Sequence, residues 1–371
     1  MEIMVSIETN FWKGRRVFIS GHTGFKGSWL ALWLSTLGSE IFGYSLQPED
    51  KNSLFSQMNL NTKINIKNAG EIHSCYEDIR EFVKLKECIT NFQPEIVFHL
   101  AAQPLVKKSY LKPLDTWEIN VQGTLNLLES LKEIESFCAV VMVTTDKVYK
   151  NNNWDFGYRE NDPLGGHDPY SSSKAAAEIA IESWRSSFCG LSGHQSINLG
   201  ISTARAGNVV GGGDWAQDRI IPDLIRSLIE EKPVYIRSPF STRPWQHVLE
   251  PLSGYLILAQ KLFESNSYES ALTSPFNFGP YYEGNRNVKE LVNETFKYWS
   301  GEYIDISNDD APYESKKLSL QIEKANNLLN WHPRWSFSET VRKTVSWYKA
   351  FNDGKSAMEC CLSDLKDFQE N

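Results

Sequence analysis

Nowhere in these 371 residues does a run of about 18 apolar side chains occur, so no segment can bridge a bilayer as a helix. Cysteine is scarce. The six present, Cys75, Cys88, Cys138, Cys189, Cys360 and Cys361, match the spacing of neither a disulfide framework nor a zinc site. Surplus positive charge is lacking as well: 38 Lys and Arg against 46 Asp and Glu leave a formal net charge of −8, which argues against general affinity for nucleic acid or anionic membranes. Met1 to Lys13 includes Glu2 and Glu8 and has no apolar core segment, unlike a secretory signal. Internal repeats, low-complexity tracts and metal-ligand clusters are also missing. These absences leave a cytoplasmic protein with reduced thiols and no metal as the expectation.

What is present is ordinary globular material, 41% hydrophobic and 23% charged, enough for a packed core. Its length predicts two domains, or one large α/β domain with a smaller lobe. Up to about Ala204, short apolar runs alternate with amphipathic stretches. Strands are predicted at Arg16–Ser20, Glu40–Tyr44, Ile72–Tyr76, Glu95–Leu100, Ala139–Thr144 and Ser196–Ala204. Helices are predicted at Gly24–Leu37, Leu114–Leu131 and Tyr170–Phe188. That alternation implies βαβ units and a Rossmann-type, doubly wound parallel sheet. The second half is less regular, with helices predicted at Ile220–Glu230, Leu252–Glu264, Val288–Trp299, Leu318–Leu328 and Ser338–Phe351. Beyond these a polar, frayed tail is expected.

Gly21-His22-Thr23-Gly24-Phe25-Lys26-Gly27 follows the first strand directly and opens the first helix. In that context one glycine permits a tight turn, one lets backbone approach a pyrophosphate, and one lets helix pack on sheet. The helix start then offers free N–H groups to the phosphates. The acid that grips an adenosine ribose from the end of the second strand is absent: Tyr44-Ser45-Leu46 stands there, and Glu49 and Asp50 come later. No arginine replaces it to favour a 2′-phosphate, so NAD is expected rather than NADP. The predicted division is a cofactor domain over 14–206, joined again by 238–264, a substrate-binding lobe over 207–237 and 265–355, and a polar tail over 356–371.

Tyr170 and Lys174 lie four residues apart, on one face of a helix. An unassisted phenol is a poor base at neutral pH, and a cation within about 4–6 Å stabilises the phenolate. Thr144-Thr145-Asp146-Lys147-Val148-Tyr149 ends an apolar strand, where open α/β sheets build their sites. Leu100-Ala101-Ala102-Gln103 ends the preceding strand with small residues that a cofactor ring could approach, and Asn120 lies on the helix between.

These motifs resemble the extended short-chain dehydrogenase/reductases that act on nucleotide sugars, and the resemblance runs from Gly21 to about Trp347. It is extended by Asn208-Val209-Val210-Gly211-Gly212-Gly213-Asp214-Trp215-Ala216 and Arg243-Pro244-Trp245-Gln246-His247-Val248. Lysine at 147, where the dTDP-glucose branch carries glutamate, resembles the branch that dehydrates CDP-glucose for dideoxyhexose and lipopolysaccharide synthesis. Three steps are thereby implied: C4 oxidation, loss of water across C5–C6, and return of hydride to C6. Tyr170 would take the C4 hydroxyl proton beside Lys174, Thr145 would hydrogen-bond the C4 oxygen, Asp146 would protonate the departing hydroxyl, and Lys147, if neutral, would accept the C5 proton.

The resemblance also implies a cofactor set of Gly21, Thr23, Gly24, Phe25, Lys26, Gly27, Asp78, Ile79, Leu100, Ala101, Ala102, Gln103, Asn120, Thr144, Tyr170 and Lys174. The substrate set is Gln103, Asn208, Trp215, Arg219, Arg237 and Arg243, with the arginines meeting the diphosphate. His247 reads as structural. A homodimer or homotetramer is implied, paired through the Asn120 and Tyr170 helices. Two alternatives stay open: a 4-epimerase, which needs Tyr170 and Lys174 but not Asp146 and Lys147, and a non-catalytic NAD-binding regulator.

Overall fold

A computed structural model describes residues 7–48, 51–60, 66, 68–189, 197–267, 270–307 and 317–370. Glu49, Asp50 and Ser196, named above, lie outside the described residues. The chain runs β1 (Arg16–Ser20), α1 (Phe25–Thr36), β2 (Glu40–Ser45), β3 (Ile72–Tyr76), α2 (Phe82–Phe92), β4 (Ile96–His99), α3 (Gly123–Ser130), β5 (Cys138–Val143), α4 (Pro169–Phe188), β6 (Leu199–Arg205), α5 (Leu249–Ser265), β7 (Pro275–Asn277), α6 (Phe337–Asn352) and α7 (Ala357–Glu370). The strands form one sheet in the order β7-β6-β5-β4-β1-β2-β3. Every pairing in it is parallel.

The strand order reverses between β1 and β4, opening a crevice at their carboxyl ends. β4, β5 and β6 are buried at every residue, as strands covered on both faces must be. α1 is buried from Gly27 to Ser35, which accounts for its lack of a polar face. Beyond β6 the chain forms short strand pairs outside this sheet: Val209–Val210 with Gln246–His247, Val234–Ile236 with Tyr303–Asp305, and Thr242–Pro244 with Asn285–Asn287.

Three sequence expectations change. Leu114–Leu131 is not one regular helix: Pro113–Trp117 leads into a π-helical turn at Glu118–Gln122 before α3. The boundary at 265 does not hold the sheet to one side, because β7 pairs with β6 and returns the chain to it. The expected frayed tail is instead helix α7, whose Cys361, Leu365 and Phe368 pack into the core. Phe368 meets Trp335 edge-on at 5.0 Å and Trp33 at 5.8 Å. An amphipathic stripe spread thinly among Glu, Asp and Lys reads as polar until the apolar surface that receives it is known.

Candidate active site

At the end of β1, Gly21 has φ +78° and lies against the β4 end, so that a Cβ there would stand 2.7 Å from Ala101 N. A Cβ on Gly27 would meet Gly21 O at 2.0 Å. Both glycines are fixed by close packing of turn, helix and sheet. Gly24 is different. It is exposed, and a Cβ there would meet no protein atom closer than 3.4 Å. The chain leaves that space open, and α1 begins at Phe25 with no side-chain cap, so its first N–H groups are free for a pyrophosphate. The residues fit a dinucleotide.

Where the ribose-binding acid is missing, Thr23 Oγ1 lies 2.7 Å from Ser45 Oγ and donates to Leu46 O. Beyond β3, the Asp78 carboxylate pairs with Arg80 at 2.8 Å. Ile79 is buried against Gly123, where a Cβ would meet Ile79 Cγ2 at 2.6 Å. Leu100, Ala101 and Ala102 cross the crevice at the end of β4 and are only partly buried.

α4 is started by Asp168, whose carboxylate accepts from Ser171 N and Ser171 Oγ, with Pro169 at its first position. That cap and proline are a strong helix start, and they fix Tyr170 in the first turn, one turn before Lys174. Both are buried. Burial pushes the Tyr170 phenol up to about 12, against Thr145's hydroxyl and the Arg219 charge. Burial pulls the Lys174 ammonium down to about 8, with Glu178 opposing it; Lys174 donates to Val143 O at 3.2 Å. Thr144 does not face the crevice with its hydroxyl, which donates to Glu178 at 2.5 Å.

Asp146 is fully enclosed, and burial raises its carboxyl pKa against the charges of Lys147, Arg243 and Lys26 and a hydrogen bond from Thr145. Thr145 Oγ1 donates to Asp146 Oδ1 at 3.1 Å, and Asn208 Nδ2 donates to Oδ2 at 3.3 Å. A Cβ on Gly207 would fall 1.9 Å from Asp146 Oδ2, so the carboxylate occupies room that only glycine leaves. Lys147 is half-buried beside it. Lys26 joins the same cluster: burial first, then Arg219 and Lys174, pull its ammonium down to about 8, while Asp146 acts the other way.

Asn120 is buried in the π-helical turn, a feature that recurs at functional sites. Its carboxamide accepts from Gln103 N at 2.8 Å and donates to Gln103 O and Ser173 Oγ, clamping the β4 end to α4. The Gln103 side chain is spent on its own turn, donating to Thr116 Oγ1 and Leu105 O and accepting from Leu105 N.

The substrate candidates separate. Arg219 pairs with Asp214 at 2.9 Å and lies close enough to influence Tyr170. Arg243 is buried and acts electrostatically on Asp146. Arg237 instead sits exposed against Asp218 at 3.3 Å. Trp215 packs edge-on against Tyr348 at 5.2 Å and donates to Gln57 Oε1. His247 is enclosed by Trp335 and Trp29 and is a packing residue. The sequence reading passed over Glu178, Arg205 and Gly207. Glu178 had a signal, lying four residues after Lys174 on the same helical face; Gly207 had none without Asp146 beside it.

Parallel sheet, glycine turn and the buried Tyr170–Lys174 pair define a dinucleotide-dependent enzyme of the short-chain dehydrogenase/reductase class. The profile of the GDP-mannose 4,6 dehydratase family matches residues 18–344. A CDP-glucose 4,6-dehydratase of Salmonella typhimurium is 44% identical, over 98% of this chain and 98% of its own. The human dTDP-D-glucose 4,6-dehydratase is 26% identical over 90% of each chain. Among solved structures, the Bacillus anthracis dTDP-glucose 4,6-dehydratase in complex with NAD superimposes with a TM-score of 0.73 at 19% identity, covering 92% of this chain and 98% of that one. The chain belongs to the nucleotide-sugar 4,6-dehydratase family.

Proposed function

We propose that this chain converts CDP-glucose to CDP-4-keto-6-deoxyglucose in the cytoplasm, using NAD held at Gly21–Gly27. The observation that carries the reading is Asp146, an enclosed carboxyl whose pKa burial raises, set beside Lys147 and the Tyr170 phenol. Oxidation at C4 needs Tyr170 and Lys174 alone. A carboxyl whose pKa is raised and a lysine next to them are what elimination adds. The Salmonella relative supports the choice of CDP-glucose.

When bound at Gly21–Gly27, NAD would supply the hydride acceptor for C4 and, once reduced, the hydride donor for C6. Tyr170 receives the C4 hydroxyl proton, and the positive charges of Lys174 and Arg219 favour the phenolate that does so. Thr145 donates to the C4 oxygen. The resulting ketone acidifies C5–H. Lys147 accepts that proton as the C6–O bond breaks, and Asp146 protonates the leaving oxygen as water. Lys147 then returns its proton to C5 as hydride adds at C6; C4 stays a ketone, and the proton that Tyr170 took from the C4 hydroxyl restores the Asp146 acid. Arg219 and Arg243 hold the diphosphate, and Asn208 contacts the sugar or phosphate. The chain acts as a homodimer joined through α4 and the 106–130 segment, which together expose Leu111, Leu114, Trp117 and Ile179.

Incubation with CDP-, dTDP-, UDP- and GDP-glucose in parallel, followed by alkali, tests this through the ultraviolet absorbance of a 4-keto product. Strong signal from CDP-glucose is expected. Preference for another base overturns the nucleotide, and silence with all four overturns dehydration.

A further inference from the structure

One helical turn beyond Lys174, the Glu178 side chain is 1% exposed and accepts hydrogen bonds at both of its oxygens. Thr144 Oγ1 donates to Oε1 at 2.5 Å and Thr203 Oγ1 to Oε2 at 2.9 Å. Arg205 donates twice, Nε to Oε1 at 2.9 Å and Nη2 to Oε2 at 2.8 Å. Arg205 is itself buried, and Nη1 donates to Tyr149 OH and Glu160 O. Tyr149 OH then donates to Asn277 Oδ1 at 2.6 Å. This is a closed network with no exposed member at its centre.

Its placement is what matters. Thr144 leads directly into Thr145-Asp146-Lys147. Arg205 leads into Gly207 and Asn208, which bound the Asp146 carboxylate. Lys174 precedes Glu178 on α4. Every segment bearing a proposed catalytic side chain therefore meets at one carboxylate. Burying an ion pair seldom adds stability by itself, so the pair calls for another explanation.

We propose that Glu178 is a positioning residue for the reaction, holding the β5 turn, the β6 turn and α4 in register and supplying the negative charge that keeps the Lys174 ammonium protonated. What opposes that charge is burial. Lys26 from α1 and His99 from β4 both interact with it electrostatically. The turn packed on α4 carries Asp146 and Lys147, the π-helical turn presents the uncharged Asn120, and β6 presents Arg205 behind Glu178. Glu178 is the carboxylate that favours the charged form of Lys174, against the burial that lowers it to about 8. Arg205 and the two threonines in turn hold Glu178 ionised: burial alone would raise its pKa, and these partners bring it below the ordinary range.

The inference rests on the roles given to Tyr170 and Lys174 in the proposed reaction, and one readout is independent of them. Glu178→Gln alone strands the buried Arg205 cation, so the test uses Glu178→Gln with Arg205→Met, and separately Glu178→Asp, which keeps the charge and its pairing. The protonation midpoint of Lys174 is read in the cofactor-free chain by trace acetic anhydride labelling across pH, with mass spectrometry of the Lys174 peptide. In the double variant the midpoint is expected to fall by about one pH unit, with the aspartate variant between it and the parent. The alkaline limb of kcat, for whichever nucleotide-glucose is turned over, should move by the same amount with KM little changed. A Lys174 midpoint unchanged in both variants overturns the proposal, whatever happens to activity. A shifted midpoint without a shifted limb would uphold the charge effect and overturn its part in catalysis.

Discussion

At the residue scale the site is defined by what is withheld from water. Asp146 is useful because its enclosure raises its pKa, and a carboxyl that holds a proton more tightly can serve as the acid for a departing hydroxyl. Asp146→Asn removes that proton without changing the shape of the group. Product formation should fall about 10²–10⁴-fold, while exchange of hydrogen between C4 and the cofactor persists; loss of both together would count against the division of labour. Lys147→Ala should show the same split, and full dehydratase activity in it would remove Lys147 as the base. Gly207 makes a more local claim. A methyl group there would fall 1.9 Å from Asp146 Oδ2, so Gly207→Ala must displace the carboxylate. The expected result is a folded protein with dehydration reduced about 100-fold, checked by turnover alongside circular dichroism; wild-type turnover would show that Asp146 tolerates another position.

At the scale of elements, two buried carboxyls tie helices to the segments packed on them. Glu250, in the first turn of α5, accepts from Arg334 N and Trp335 N, yet burial still pushes its pKa up to about 7. Asp364 of α7 is raised to about 7 in the same way, against Lys343. The folded state thus holds both protons more tightly than the unfolded chain does. Their stabilisation is complete below the ordinary carboxyl range and is lost as pH rises through about 7. For Glu250 this is on the order of 3 kcal/mol. Urea midpoints should therefore fall between about pH 5 and pH 8. Glu250→Gln, which stays neutral and can still accept with its carbonyl oxygen, should flatten part of that slope; an undiminished slope would show that Glu250 ionises normally.

At the scale of the whole molecule, the apolar residues left exposed on α4 and the 106–130 segment face solvent only if the chain is a monomer. Ile179 is 61% exposed on the helix that carries Tyr170 and Lys174. Ile179→Lys should convert a dimer to a monomer in sedimentation velocity, with turnover per chain lowered because the catalytic helix loses its support. An unchanged sedimentation coefficient would place the interface elsewhere.

The sequence by itself determined the sheet, the glycine turn and the catalytic helix, because each is a local pattern: continuous apolar runs, a turn that tolerates only small residues, and Asp168-Pro169 starting a helix with Tyr170 and Lys174 one turn apart. It did not reveal β7, α7 or the π-helical turn. Three residues of β7 and the thin stripe of α7 become meaningful only against the surface they cover, and the π-helical turn only through the partners Asn120 clamps. In the same way Tyr170 and Lys174 were visible from their spacing, whereas their working state was not. Only the tertiary structure decided that Asp146 is buried against Gly207, that Lys26 shares its cleft, and that Glu178 and Arg205 close the network behind Lys174. Burial and charge–charge distance belong to the folded chain, and these two quantities set whether a side chain carries its proton.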